Sequence, residues 1–433
     1  MTLTMMSPTF SLYLIFVVSF FLHLSSRISI LGLMRFDLIL MGVILSMLFL
    51  VGNGQVKGGE KLKTTKSLWI FIAYIIFTIP IVEWPGSVVR HGLENYAKVV
   101  PFFFFTVVLV NTEKRLKVFM LVFILCQIFR AIEPAYLHYT TGYWGDMATS
   151  TIGGRFSKLD RLGGAPHDII NSNQLAWVIN TALPFMYYFL WKEGSAHKLL
   201  VLISSPILIY ALLLTASRSG LLSLFVILLT IMYMGKRKFT RLMVGIVIIG
   251  PIALLIAGQL DTGLSTRYLS IFDRSVEGGD SASGRTRGVI KGLSTVANRP
   301  IVGHGLGTSL ETNVNEIGGR GQLAHNLYVE VLQEVGIIGF ILFMLYIKEM
   351  IKSLIQAKEI LLRLSTKHSW LVNLITATQV WIVMDLFYSL SCFGLNSWEW
   401  YLFGGISTVC LKLAKDFAVQ APKLQVKVVS ASA

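Results

Sequence analysis

The sequence has little charge: 14% of its 433 residues are Asp, Glu, Lys or Arg, against about 25% in an ordinary soluble domain. Hydrophobic residues make up 54% of the chain, and the mean hydropathy is +0.67. This composition excludes a disordered chain or a coiled coil and indicates an integral membrane protein. Cysteine is scarce too. Because Cys126, Cys392 and Cys410 lie in or beside apolar segments, we predict packing roles for them and exclude a disulfide scaffold.

Signatures of metal and nucleotide sites are also missing. No group of His, Cys, Asp and Glu has the spacing of metal ligands, so we expect no metal and no cofactor. The glycine-rich turn from Gly303 to Gly307 is not a nucleotide fingerprint, because no strand–helix unit surrounds it, and we interpret His304 within it as incidental. The net charge of +15 could suggest nucleic acid, but a basic excess in a membrane protein usually reflects its topology.

Long apolar runs predict an all-α polytopic membrane protein. A bilayer core of about 30 Å takes about 20 apolar residues per helix, and by this measure the chain has about twelve spans. No Lys or Arg precedes the first run and no clear cleavage site follows it, so we interpret it as a span rather than a signal peptide. The predicted spans are 9–25, 31–51, 67–83, 97–111, 116–132, 173–191, 198–214, 219–235, 241–258, 326–348, 370–390 and 399–414.

Every second connection between these spans is basic. Those connections and the C-terminal tail hold 22 of the 38 Lys and Arg residues, which predicts that both termini are cytoplasmic. Two long loops face the other side, and the second has a helix-compatible stretch that predicts a partly helical external cap. The resulting divisions are N-terminal spans 1–132, external loop 133–172, central spans 173–258, cap 259–325, C-terminal spans 326–414 and cytoplasmic tail 415–433.

The other 16 cations differ in kind, since 13 of them are arginine. Positive charge on the outer side opposes the topology rule, and guanidinium binds phosphate through a planar fork of donors. The outer face therefore looks built to hold an anion. The alternative is that individual arginines pair with outer acids, such as Glu83, Asp146, Asp160 and Asp273.

His325 stands where the second external loop meets the tenth predicted span. Gly336 follows it by eleven residues, which is three helical turns, so we predict that the two share a helix face. Glycine on that face would allow close helix contact and fix the helix that carries the histidine. A histidine at such a junction can be structural, or it can titrate near neutral pH and act in chemistry.

These residues resemble the O-antigen ligase and O-antigen polymerase superfamily. The resemblance covers about residues 160 to 345, and the first 130 residues match only in being hydrophobic spans. The motifs that carry it are, in chain order, Asn173-Gln174-Leu175-Ala176, Thr215-Ala216-Ser217-Arg218-Ser219-Gly220, Ser283-Gly284-Arg285 with Asn298-Arg299-Pro300-Ile301-Val302-Gly303-His304-Gly305-Leu306-Gly307, and His325-Asn326 with Gly336 and Gly339.

The resemblance implies a metal-independent glycosyltransferase in the bacterial inner membrane, with its site facing the periplasm. Members of this family transfer a glycan from an undecaprenyl diphosphate carrier to an acceptor hydroxyl, which ligases take from the lipid A core and polymerases from the next repeat unit. It also implies a helical bundle of the GT-C type beneath the cap. Such a transfer needs a cationic clamp on the departing diphosphate and a base near the hydroxyl.

The resemblance assigns catalysis to His325, Arg218 and Arg285. The residues predicted to bind diphosphate or acceptor are Arg287, Arg161, Ser217, Asn326 and Glu330. Several of these have a structural alternative: Ser217 could cap a helix, Arg287 could be solvated, and Glu330 could form a buried structural pair with Glu334.

Three hypotheses for the function of the protein agree with these sequence features. A ligase is our first hypothesis, because the His325 motif matches well, and a polymerase of the same superfamily is the second. A transporter or lipid-linked glycan flippase would also explain twelve spans and outer cations. It leaves unexplained why two large external loops bracket the Arg218 motif.

Overall fold

The computed structural model describes nine stretches of the chain, and every structural statement below concerns these stretches. They are residues 7–50, 62–146, 151–152, 155–156, 161–235, 280–317, 325–364, 369–392 and 394–431.

Helices build almost all of this described chain. The first nine are α1 (Pro8–Leu22), α2 (Leu24–Arg27), α3 (Ser29–Leu33), α4 (Phe36–Leu50), α5 (Lys63–Thr78), α6 (Pro85–Ser87), α7 (Leu93–Val99), α8 (Pro101–Leu109) and α9 (Glu113–Thr141). The others are α10 (Ser172–Phe185), α11 (Trp191–Glu193), α12 (Ser195–Leu214), α13 (Arg218–Met234), α14 (Asp280–Asn298), α15 (Ser309–Ile317), α16 (Leu327–Leu364), α17 (Ser369–Tyr388) and α18 (Trp398–Ala431). Shorter elements are a 3₁₀ turn at Ile79–Ile81, π-helical turns at Val88–Gly92 and Met186–Leu190, and an antiparallel pair of two-residue strands, β1 (Thr151–Ile152) and β2 (Arg155–Phe156).

Six helical segments among the described residues are long and apolar enough to cross a membrane. They are Lys63–Ile81, Pro85–Leu109, Glu113–Thr141, Ser195–Leu214, Leu327–Leu364 and Ser369–Tyr388. Helices α1, α4 and α13 are apolar but shorter, and the ninth predicted span, 241–258, lies outside the described residues. The prediction of a helical, multi-pass membrane protein is confirmed, whereas the count of twelve stays a prediction.

Several predicted span boundaries are wrong: the segment that contains 97–111 begins at Pro85, the helix that contains 116–132 ends at Thr141, and the helix that contains 399–414 ends at Ala431. The span predicted at 31–51 is helical as α4 only from Phe36, because Arg35 has a left-handed φ of 50° and interrupts the chain after α3. The span predicted at 326–348 continues as α16 to Leu364. Its part after Gly336, residues 337–364, corresponds to about 42 Å of helix, well beyond a bilayer core of about 30 Å. Hydropathy follows apolar residues, so it misses both a backbone break and a charged helical extension.

Close packing of α16 against α18 forms the centre of the bundle. The Tyr346 hydroxyl donates to the backbone oxygen of Trp400 at 2.9 Å. A Cβ on Gly404 would lie 1.8 Å from that same hydroxyl, so only glycine lets the two helices approach here. Next to this contact, the rings of Trp381 and Phe403 stack with their centroids 3.7 Å apart. These helices give the residues at their ends a rigid base.

A buried ion pair attaches the segment before α10 to α9. Asp168 accepts hydrogen bonds from Arg130 Nε at 2.7 Å and Nη2 at 3.0 Å, and Asp168 is 1% exposed. Burial raises the pKa of Asp168, but the hydrogen bond from His23 and the charge of Arg130 outweigh burial and lower the pKa to about 2. The loop from 161 to 171 is therefore held against the bundle, where it meets α10 and α13.

Candidate active site

Helix α16 is broken at Gly336, and the segment from 299 to 307, here called the cap segment, fills the break. Gly336 has φ 64° and ψ −172°, far from helical values. The amide of Ile337 donates to the carbonyl of Pro300 at 2.8 Å, and the amide of His304 donates to the carbonyl of Gln333 at 2.9 Å. The cap segment thus satisfies backbone groups that the broken helix leaves without helical partners.

The predicted helix face shared by His325 and Gly336 is consequently wrong. His325 precedes the first residue of α16, and the break at Gly336 changes the direction of the chain. Gly336 is needed for a different reason: a Cβ there would lie 2.3 Å from the carbonyl oxygen of Ile301. A Cβ on Gly303 would likewise lie 2.5 Å from the carbonyl oxygen of Glu334. The two glycines let cap and helix backbones touch.

Tyr74 of α5 supports the same break from the bundle side. Its hydroxyl donates to the carbonyl of Val335 at 2.8 Å, one residue before the break. A Cβ on Gly339 would lie 2.9 Å from the Tyr74 ring, so this second glycine of the motif makes room for the tyrosine. The whole Gly-x-x-Gly pattern therefore serves the junction between α5, α16 and the cap.

Asn326 fixes the backbone next to His325. Its Oδ1 accepts from the amide of Val329 at 3.1 Å, which caps the start of α16, and its Nδ2 donates to the carbonyl of Leu390 at 3.1 Å. His325 itself has a left-handed φ of 47°, which is uncommon for a residue other than glycine and is typical of functional positions. Asn326 is thus a positioning residue for the histidine in this geometry.

Arg285 brings the three predicted catalytic residues into one electrostatic neighbourhood. It lies in α14, is half-buried, and its charge acts on both His325 and Arg218. Burial is the main cause that lowers the pKa of His325 below its ordinary value of 6.5, and the positive charge of Arg285 lowers it further. His325 is therefore held in the neutral form that a general base requires. Arg287, two residues along α14, is exposed.

A polar network positions Arg218 at the start of α13. Ser217 accepts from the amide of Gly220 at 3.1 Å as the N-cap of that helix, and its hydroxyl donates to Asn173 Oδ1 at 2.9 Å. The same amide oxygen accepts from Arg161 Nη2 at 2.9 Å, while Arg161 Nε donates to the carbonyl of Thr215 at 2.8 Å. Ser217 and Arg161, both predicted to bind substrate, are here tied to the ends of α10, α12 and α13.

The two acids of α16 bind loops. Glu330 Oε2 accepts from the amides of Gly394 at 2.6 Å and Leu395 at 3.2 Å. Glu334 accepts from the amide of Gly307 at 2.8 Å and from the hydroxyl of Ser309. This arrangement corresponds to the structural alternative for the pair, with Glu330 holding the segment that precedes α18.

His304 is a buried joint of the cap, and its interpretation as incidental is wrong. Its Nε2 lies 2.9 Å from Glu316 and 3.5 Å from Glu83, while its Nδ1 lies 3.0 Å from the carbonyl oxygen of Gln333. This is the one group of described residues with metal-ligand geometry, and spacing along the chain could not reveal it. Arg299 Nε also lies 3.7 Å from Glu83, so ion pairs and hydrogen bonds account for the cluster.

Comparison with known proteins supports the resemblance inferred from the motifs. Residues 203–344 match the family model of the O-antigen ligases. The matched segment contains Arg218, Arg285, His325 and the broken part of α16, whereas Arg161 lies before it. A comparison with curated proteins finds no match. Residues 203–344, about a third of the chain, are thus similar to the O-antigen ligase and polymerase superfamily.

Proposed function

We propose that this protein is an O-antigen ligase, which transfers a glycan from undecaprenyl diphosphate to a hydroxyl of the lipid A core. The observation that carries the proposal is the grouping around Arg285, whose charge acts on both Arg218 and His325. The three residues come from separate motifs, and two of them are cations beside a histidine held neutral. Such a group suits an anionic leaving group and a hydroxyl that must lose a proton.

Arg218 and Arg285 form the clamp for the departing diphosphate. Two guanidinium groups within electrostatic reach of each other repel, and an anion between them relieves this repulsion. Guanidinium also fits phosphate oxygens through paired hydrogen bonds. Arg287 is exposed on the same helix and extends this positive surface towards the donor.

His325 is the base. In the reaction the acceptor oxygen forms a bond to the anomeric carbon, and the bond from that carbon to the diphosphate oxygen breaks. The diphosphate leaves with the bonding electron pair, and the hydroxyl proton passes to a ring nitrogen of His325. No step of this scheme requires a metal or a cofactor, and attack opposite the leaving group inverts the anomeric carbon.

The other predicted site residues hold the helices and loops that carry Arg218 and His325. Arg161 and Ser217 hold the start of α13 that carries Arg218, Asn326 caps the helix that follows His325, and Glu330 binds the loop before α18. We propose that these four act by positioning, and that a bundle of the GT-C type presents the site beneath the cap.

The site faces the periplasm, with both termini in the cytoplasm. A protein with Leu310→Cys on α15 should react with an impermeant thiol reagent in intact cells, whereas one with Ile355→Cys on the basic end of α16 should resist it. Both side chains are exposed in the structure, so accessibility is matched, and Cys392→Ser lowers the background. Reaction at 355 and protection at 310 would place the site on the wrong side for a periplasmic donor.

A polymerase of the same superfamily is the second candidate. It would use the same clamp and base but take the next lipid-linked repeat unit as its acceptor. The identity of the acceptor therefore separates the two functions. A transporter or flippase explains the helices and outer cations, but it gives no role to a neutral histidine beside two arginines.

A further inference from the structure

A cavity of about 150 Å³ lies next to the proposed site and contains none of its three catalytic residues. Its wall includes the last turn of α17 and the segment that leads to α18. Tyr388 and Ser389 belong to this wall, and the carbonyl of Ser389 accepts from the amide of Leu327, two residues after His325. Tyr388 also lies within the electrostatic reach of Arg285. The cavity and the reacting centre thus share a wall.

The lining of this cavity combines acidic groups with tryptophan. Asp385 is 3% exposed and accepts from the indole N–H of Trp177 at 2.6 Å, and Glu399 and Trp398 line the same space. Carboxyl groups accept hydrogen bonds from hydroxyls, and tryptophan offers a broad apolar face. A sugar has both features, because its hydroxyls donate and its ring C–H groups form an apolar surface.

Charge separates this cavity from the arginine cluster. Arg130 also lines it, but both Asp168 oxygens accept from this guanidinium, so its charge is already balanced. Among the described residues, no other Lys or Arg lines the cavity, so it offers no unbalanced cation to a phosphate, which belongs with Arg218 and Arg285. The favoured occupant is a neutral, hydroxyl-rich ring.

We propose that this cavity, walled by Asp385, Glu399, Trp177 and Trp398 beside the His325 segment, binds the acceptor sugar. The proposal rests on the ligase function proposed above. Glu330 contributes from outside, because its carboxyl group holds the amide of Gly394, another residue of the wall. The donor and the acceptor then approach His325 from two different sides, one lined by arginines and one by carboxyl groups and tryptophan.

Binding to the purified full-length protein tests the proposal without any transfer. Core oligosaccharide freed of lipid A is titrated into wild type, Asp385→Asn and Cys392→Phe by calorimetry, and inorganic diphosphate is titrated in parallel. Asparagine keeps an acceptor for the Trp177 indole but removes one carboxyl oxygen as an acceptor for sugar hydroxyls, and phenylalanine fills the cavity at a lining position. We expect at least tenfold weaker oligosaccharide binding in both variants and less than a twofold change for diphosphate.

Glu334→Gln is the matched control, because it changes a buried carboxyl group of the neighbouring helix outside the cavity lining. It should bind the oligosaccharide within twofold of wild type. Thermal unfolding verifies that each variant is folded. Unchanged oligosaccharide affinity in both folded cavity variants overturns the proposal, and so does a loss confined to diphosphate. If acceptor binding depends on Asp385 but no transfer occurs, the cavity assignment stands and the ligase function fails.

Discussion

Replacing His325 with alanine is expected to lower the rate of glycan transfer by about 10²–10⁴-fold. A sugar hydroxyl is a weak nucleophile, and removing its proton as the new bond forms typically contributes this factor, or about 3–5.5 kcal/mol. Single-turnover transfer with preloaded donor measures the loss. The affinity for the lipid-linked donor should remain, because the proposed clamp consists of Arg218 and Arg285.

His91, an exposed histidine outside the proposed site, is the matched control for this substitution. His91→Ala should transfer at the wild-type rate. If His325→Ala abolishes donor binding and leaves single-turnover chemistry of bound donor unchanged, the histidine belongs to the diphosphate clamp and the base must be another group.

The pH dependence of transfer also tests whether His325 is the general base. A general base works unprotonated, and burial together with the charge of Arg285 lowers the pKa of His325 below 6.5. Activity should therefore fall on the acid side only below about pH 6.5 and be retained at neutral pH. In Arg285→Ala the like charge is gone, so the acid limb should move to higher pH, whatever activity remains. An acid limb at the same pH as in wild type would show that the charge of Arg285 does not act on His325.

Replacing Arg218 with alanine should weaken donor binding and transfer by about 10- to 150-fold. Each hydrogen bond to a charged group contributes about 1.5–3 kcal/mol, and about 1.4 kcal/mol corresponds to tenfold. Arg218→Lys should restore little, because an ammonium group cannot reproduce a planar fork of donors. Donor affinity and turnover in a reconstituted membrane measure both effects.

Arg90, an exposed arginine outside the proposed site, provides the control for charge alone. Arg90→Ala removes the same charge and should leave donor affinity within about twofold. Wild-type turnover and donor affinity in a folded Arg218→Ala protein would remove this residue from the site.

The apolar helices and the helix starts marked by motifs could be predicted from the sequence, because both depend on residues close together in the chain. The helix expected between Arg285 and Ala297 is present as the longer α14. The motif of Ser217, Arg218 and Gly220 likewise indicated a helix start, and the structure gives Ser217 its capping role. Grouping Arg218, Arg285 and His325 needed the family resemblance, since more than 100 residues separate the first from the last.

The break in α16 was not predictable by helical periodicity. An unbroken helix through Gly336 is the simplest interpretation of an apolar run, and only the backbone of Ile301 shows why the glycine is needed. His304 illustrates the same limit. Its partners Glu83 and Glu316 come from distant segments that meet only after folding, so no local pattern marks the joint. Side-chain networks of this kind depend on tertiary contacts.

The most direct test of the ligase function is product analysis with the purified protein, lipid-linked glycan donor and lipid A core in one membrane. Transfer of the glycan to the lipid A core, with release of the carrier diphosphate and loss of product in His325→Ala, is the predicted result. A parallel reaction without lipid A core should give no longer glycans on the carrier. Chain growth on the carrier alone, with no product on lipid A core, would contradict the ligase function and establish a polymerase.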